Sequence, residues 1–288
     1  MKEIIKSRSD INYSYATIKM TQSRIDKGLI AIPASLEKWF PDHTDTIYVY
    51  LDDSPVLRTP KYTPRTSNTR ECRIYTMKEW FGKNKIKDGD EIVIQVIDRE
   101  KCIYRLTYEK KFIAKTQMLQ NNLDKAETEE EASEKIITLA KWTNLDRYKI
   151  IVNEYHRLVN AMPVRERQSV NKQWSRAREK VPANMKTLLE GIYKGHCQVC
   201  EFWFLKIDNK PYFEIHHLDP LKDHHPENLV VVCGNCHNQF EYANVNKEFK
   251  EFNEHNWLIK VSFNNKLYPV KQAILTMPTK EIFKEIYI

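Results

Sequence analysis

Four of the six cysteines in this 288-residue chain stand as two Cys-x-x-Cys pairs, Cys197 with Cys200 in GHCQVC and Cys233 with Cys236 in CGNC. Each pair fits a tight knuckle. Two knuckles facing each other make a tetrahedral all-sulfur site, which suits zinc because zinc favours thiolates and has no d-electron geometry of its own. Reduced cysteines buried in a core are the alternative. In a reducing compartment the grouping reads as structural zinc and not as disulfides.

The rest of the composition narrows the setting. The length allows two domains, and 11% aromatic residues permit real cores despite a hydrophobic content of only 41%. No run approaches the roughly 18 apolar residues that span a bilayer, so no membrane association is expected. The N-terminal MKEIIKSRSDINYSY is basic but lacks an apolar h-region, which excludes a secretory signal. The expected location is the cytoplasm of a prokaryotic-type cell. A net charge of +7 fits a lysine-rich surface, or a nucleic-acid partner if the positive residues cluster.

Along the chain the character changes twice. YATIKM, GLIAIP, DTIYVYLDD, DEIVIQVID and CIYRLTYEKK are short β-rich runs, separated by turn signals such as Asp88-Gly89-Asp90 and interrupted by the short helices ASLEKWF and TMKEWFGKNK. From about residue 113 the sequence is polar and nearly free of turn residues. NLDRYKIIVNEYHRLVNAM places Leu145, Tyr148, Val152, Tyr155 and Val159 on one helical face, with Leu158 and Met162 adjoining. The following stretch carries Arg165, Arg167, Lys172, Arg176, Arg178 and Lys180. The expected class is α+β: a β-rich domain over 1–112, a helical connector over 113–188 and a metal-bearing domain with a C-terminal extension over 189–288.

Between the cysteine pairs lies EIHHLDPLKDHHPENLVVV, and its histidines need an explanation of their own, because four thiolates already fill a zinc shell. His216 and His217 are adjacent and point to opposite faces of a strand. His237 and Glu241 are four apart, on one face of a helix that begins near Cys236. A histidine from a strand with a histidine and a carboxylate from a helix makes an open site for a divalent ion. Asn228 lies between and can bond backbone groups of the loop. His224 and His225, in a polar loop before Pro226, read as surface residues. His196 reads as structural. Glu214 shares a strand face with His216, either supporting a ligand or as an ordinary strand residue.

The order CQVC, EIHHLDP, ENLVVV, CGNCH resembles the HNH endonucleases of the ββα-metal fold, over about residues 195–245. The resemblance implies that His216 and His237 are metal ligands, that His217 is the general base, and that Asn228 supports the loop and orients that base. Glu241 stands where many members have a second helical histidine. A carboxylate is a harder ligand, so the departure favours magnesium or manganese as the catalytic ion. A neutral imidazole can take a proton from water at cellular pH, leaving 5′-phosphate and 3′-hydroxyl ends.

A small nuclease unit needs another part to choose the DNA. GLIAIPASLEKWFP and TMKEWFGKNKIKDGDEIVIQVID are similar to the B-three-type pseudobarrel of plant transcription factors and of the effector domains of some restriction enzymes. That likeness implies two DNA-reaching loops. One carries Gln22, Arg24 and Lys27, the other Arg58, Lys61, Arg65, Asn68, Arg70 and Arg73. Arginine can pair with guanine and asparagine with adenine, while the remaining cations meet phosphates. Solvated loops with unrelated charges are the plain alternative. Trp39, Phe40, Trp80 and Phe81 read as core residues before they read as an aromatic cage.

The function expected is therefore a metal-dependent endonuclease of restriction type acting on double-stranded DNA. A homodimer would cut both strands, and a restriction system would supply a cognate DNA methyltransferase. A homing or mobile-element nicking nuclease and a non-catalytic zinc-knuckle DNA-binding protein are the competing readings.

Overall fold

The computed structural model describes residues 5–7, 11, 13–65, 71–165, 169–172, 175–178 and 180–276. Contacts divide the chain into two units. One runs to Asn121 and takes in Leu139–Leu145; the other takes Asn122–Thr138 and continues from Asp146.

The first unit begins with β1 (Ile5–Ser7), β2 (Ser14–Lys19), α1 (Gln22–Lys27), β3 (Ile30–Ile32), α2 (Ala34–Glu37) and β4 (Tyr48–Leu51). It continues with β5 (Leu57–Arg58), β6 (Tyr62–Thr63), β7 (Cys72–Ile74), α3 (Lys78–Asn84), β8 (Glu91–Asp98) and β9 (Ile103–Tyr108). Six strands order as β1-β2-β8-β9-β4-β5, and a smaller sheet as β3-β7-β6. Only the β4–β9 pair is parallel among the described strands. The strands form two sheets and close no barrel. Their apolar faces share one core, in which Phe40, Trp80 and Phe81 are buried and Trp39 packs alongside. Phe40 stacks on Tyr104 with centroids 4.4 Å apart, and Trp80 Nε1 donates to Asp52 at 3.1 Å. These aromatics fill the interior and form no cage.

Helices α4 (Glu109–Asp124), α5 (Glu129–Thr143) and α6 (Arg147–Ala161) follow. Asp146 caps α6 by accepting from Lys149 N–H at 2.9 Å. Burial on α6 is wider than one stripe: Ile150, Ile151, Val152, Asn153, Glu154, Tyr155, Leu158 and Val159 are all buried, whereas Tyr148 is exposed. A helix packed on more than one side buries polar residues too, and Arg157 Nε pairs with the enclosed Glu154 at 2.7 Å. The expected helical connector then breaks. β10 (Ser169–Lys172) and β11 (Ser175–Arg178) form an antiparallel hairpin where a basic helix was expected. Charged residues without an apolar stripe leave helix and hairpin undecided, and pairing between the two strands settles it.

In the second unit α7 (Ala183–Tyr193) leads to the first cysteine knuckle. β12 (Glu214–His217) pairs antiparallel with β13 (Leu229–Val232), and α8 (Gly234–Tyr242) follows. β14 (Val245–Phe252), β15 (His255–Phe263) and β16 (Lys266–Pro269) make a meander behind them. Val230 and Val232 from β13 share a core with Leu258, Val261 and Phe263 from β15. Buried Gln198 ties the knuckle to this frame: its Oε1 accepts from Val231 N–H at 2.7 Å and its Nε2 donates to Lys271 O at 2.6 Å. Among the described residues no helix is long and apolar enough to cross a membrane.

The turn from α7 into the knuckle depends on Gly195. Its φ is +77°, and a Cβ there would lie 2.4 Å from Pro211 Cβ. Gly195→Ala should cost about 1–3 kcal/mol from backbone strain alone, read as a lowered denaturation midpoint. An unchanged midpoint would mean that the turn does not need the left-handed conformation.

Candidate metal centre and DNA-facing residues

The four cysteine sulfurs lie within 4.8 Å of one another, close enough to hold a zinc ion. Cys200 Sγ and Cys233 Sγ are 3.7 Å apart, and zinc–sulfur bonds of about 2.3 Å put tetrahedral sulfurs about 3.8 Å apart. The donor set and the spacing both fit. Cys233 also caps α8, its sulfur accepting from Cys236 N–H at 3.5 Å. Thiols packed this closely cannot all ionise without a cation. A hydrogen bond from Cys236 holds Cys197 down to about 4, the same pairing drives Cys236 far up, and burial pushes Cys200 up to about 11.

A second cluster joins β12 to α8. The ligand atoms of His216, His237 and Glu241 lie within 4.8 Å of one another, with His216 Nδ1 3.6 Å from Glu241 Oε1. The helical spacing brings His237 and Glu241 to one face, and the strand delivers His216 against it. His216 is buried, stacked on Phe240 with centroids 4.4 Å apart. Burial, then the neighbouring His237 and Lys247, lower its pKa to about 4. The ring is thus neutral at cellular pH and ready to donate a lone pair to a metal.

Glu214 joins this site through His237, whose Nδ1 it binds, and it also accepts from Tyr212 OH. Those bonds, Tyr212's first, hold its carboxyl below the ordinary range. With Nδ1 so engaged, His237 can turn Nε2 toward a cation, the usual way a carboxylate fixes a metal-binding imidazole. A cavity of about 390 Å³ opens beside His237 and Glu214 and is also lined by Lys186, Lys206 and Lys210.

His217 follows His216 on β12 and meets His224. Its Nε2 lies 3.0 Å from His224 Nδ1. Asn228 works on the loop backbone: Oδ1 accepts from Asp219 N–H at 2.8 Å, and Nδ2 donates to the carbonyls of Asp219 and Asp223 at 3.0 Å each. The surface reading of His224 and His225 is overturned, since they are 2% and 0% exposed. The polar sequence around them misled because the loop folds inward on Asn228 and is held by an Arg165–Asp223 pair at 3.2 Å.

Lys247 on β14 also went unread. It donates to Leu218 O at 2.7 Å and lies 6.0 Å from the Phe240 ring centroid. Burial lowers its pKa. A lone lysine on a mostly exposed strand carries no sequence signal of this placement.

The expected DNA-facing residues scatter over several elements. Gln22, Arg24 and Lys27 sit on α1, a short helix and not the loop expected. The αL glycine Gly28 ends it, its N–H returning to the Arg24 and Ile25 carbonyls. Arg24 and Arg73 converge on Glu71, at 3.9 Å and 3.0 Å. Arg65 pairs with Glu37 at 2.7 Å. Arg58 is exposed on β5, and Lys61 bridges toward Thr46. Asn68 and Arg70 lie outside the described residues.

This geometry can be set beside known proteins. Residues 197–241, spanning both knuckles and the histidine cluster, match the HNH endonuclease family model. The likeness to HNH endonucleases is confined to this segment. Among curated proteins none matches the sequence. A chain from an Arabidopsis FUS3–DNA complex is similar at 17% identity, over 32% of this chain and 92% of that one, with a TM-score of 0.27.

Proposed function

We propose that the chain is a metal-dependent DNA endonuclease of restriction type, with an N-terminal recognition domain over 1–112, a connector over 113–188 and the nuclease domain over 189–288. The observation that carries the reading is the convergence of His216, His237 and Glu241 within an HNH-matching segment that also holds His217 and Asn228. Magnesium or manganese suits the open site because one ligand is a carboxylate. What such an ion supplies is Lewis acidity toward the scissile phosphate and the leaving 3′ oxygen.

The chain's own residues do the rest. His217 takes the proton from the attacking water, and His224 beside it limits the ring's orientation. Asn228 holds the loop that presents both. Glu214 keeps His237 in its ligating tautomer. Lys186, Lys206 and Lys210 line the adjoining cavity as cations for the DNA backbone. Two copies related by a two-fold axis would cut both strands, and a cognate methyltransferase would protect the host DNA.

The test is cleavage of supercoiled plasmid with magnesium, with manganese and with a chelator. Metal-dependent linear product at fixed sites supports the reading. Nicked circles alone favour the homing or mobile-element alternative, and intact plasmid under every condition favours a non-catalytic DNA-binding protein.

Recognition is tested within the intact chain. Arg24→Ala and Arg73→Ala remove the two guanidiniums that meet at Glu71. A base-reading arginine should cost about 1–3 kcal/mol of site discrimination, whereas a phosphate contact would weaken all sequences alike. Competition binding between cleaved and random duplexes separates the two. If neither variant changes discrimination, sequence is read elsewhere.

A further inference from the structure

A third group of metal-ligating side chains lies apart from the cysteines and from His216, His237 and Glu241. The ligand atoms of His225, Glu227 and His255 fall within 4.8 Å of one another. His225 precedes the 3-10 turn Pro226–Asn228, Glu227 lies in that turn, and His255 opens β15. His225 is fully buried, and the side chains of Glu227 and His255 are mostly enclosed.

The hydrogen bonds already sort the donors. His225 Nε2 donates to the carbonyl of Val159 at 3.0 Å, which puts the proton on Nε2 and the lone pair on Nδ1. That Nδ1 faces Glu227 Oε1 at 4.0 Å and otherwise accepts a long bond from Glu227 N–H at 3.3 Å. An imidazole whose far nitrogen is tied to a backbone carbonyl is the arrangement that orients metal-binding histidines. Glu227 Oε2 accepts from Asn256 N–H at 3.1 Å and lies 3.2 Å from His255 Nδ1. The two imidazole centroids are 4.5 Å apart.

We propose that His225, Glu227 and His255 form a second zinc site. Two imidazoles and a carboxylate are a zinc donor set, with water as the fourth ligand. All three of these ligands are at least partly enclosed, whereas Glu241 of the candidate catalytic site is exposed and leaves room for the further oxygen ligands that magnesium needs. Zinc bonds of about 2.0–2.1 Å place tetrahedral donors about 3.3 Å apart. His255 Nδ1 has that spacing from Glu227 Oε2, while His225 Nδ1 lies 4.0 Å from the other carboxylate oxygen, Oε1, so the carboxylate and the His225 ring would close on the ion. A cavity of about 430 Å³ bordered by Glu227, Asn228 and Asn256 lies on the Glu227 side of the group. In the bound state His255 would present its Nδ1 lone pair, with the ring proton on Nε2. The ion would tie the β14–β15 turn to the loop that Asn228 braces. The site stands on its own residues, whether or not the chain cuts DNA.

The experiment counts zinc in the full-length chain after dialysis against a weak chelator. His237→Ala is the background, so that the candidate catalytic ligands do not contribute. Expected are about two zinc ions per chain, one for the four thiolates and one for this site. Adding His255→Ala or Glu227→Gln should lower the count to about one. About one zinc in the His237→Ala background, or a count unmoved by both added variants, would overturn the proposal.

Cobalt gives a reading that needs no change at the site. In the same His237→Ala chain, stripped of metal, the first equivalent should develop strong sulfur charge-transfer absorption. The second should add only weak ligand-field bands from nitrogen and oxygen donors. No second saturable step, or one with further sulfur charge transfer, counts against the site.

Discussion

His217→Ala is expected to abolish plasmid cleavage, a loss of about 10²-fold or more if His217 is the general base, while DNA binding and zinc content stay as in the wild type. The reason is chemical. Removing the proton acceptor takes away a group that extra metal cannot replace. His237→Ala and Glu241→Ala remove metal ligands and so lower affinity for the ion, which higher magnesium or manganese should partly restore. Asn228→Ala should fall between, since its three bonds to the Asp219 and Asp223 backbone hold the loop and not the proton. Cleavage rates across a metal titration distinguish the four variants. If His217→Ala cuts at near wild-type rate, or is the one that metal restores, the base is elsewhere and His216 becomes the residue to test.

The largest effect on stability should come from the knuckle. Cys200→Ser or Cys233→Ser removes one of four thiolates around which the second unit's core is assembled, and Cys197, Cys233 and Cys236 are themselves part of that core. Structural zinc contributes on the order of 10 kcal/mol to folding small domains of this kind, which exceeds the net stability of many domains. Either variant should therefore lose the zinc and the cooperative unfolding transition of the second unit, followed by circular dichroism and metal analysis. A variant that keeps its zinc and its transition would reduce the four cysteines to ordinary core residues.

Local chemistry was legible in the chain. Two Cys-x-x-Cys pairs read as one site because sulfur ligands come in knuckles. His237 and Glu241 read as partners because a helix turns every 3.6 residues. The match of residues 197–241 to the HNH family rests on the same ordered motifs. The β-rich runs of the first unit and the helical run after residue 113 were visible as period and composition, and the two short aromatic helices read correctly as core.

What the tertiary structure alone decided has a single physical origin: burial and pairing between segments distant in sequence. Nothing local told that the polar DHHPEN would fold inward, with His224 against His217 and His225 against the Val159 carbonyl. Nor did it tell that His255, far along the chain, would reach Glu227. The basic stretch became a hairpin because two strands found each other. Motif spacing is a property of neighbouring residues and survives in the sequence. Which polar side chains lose their water is a property of the whole packed chain, and only the fold assigns it.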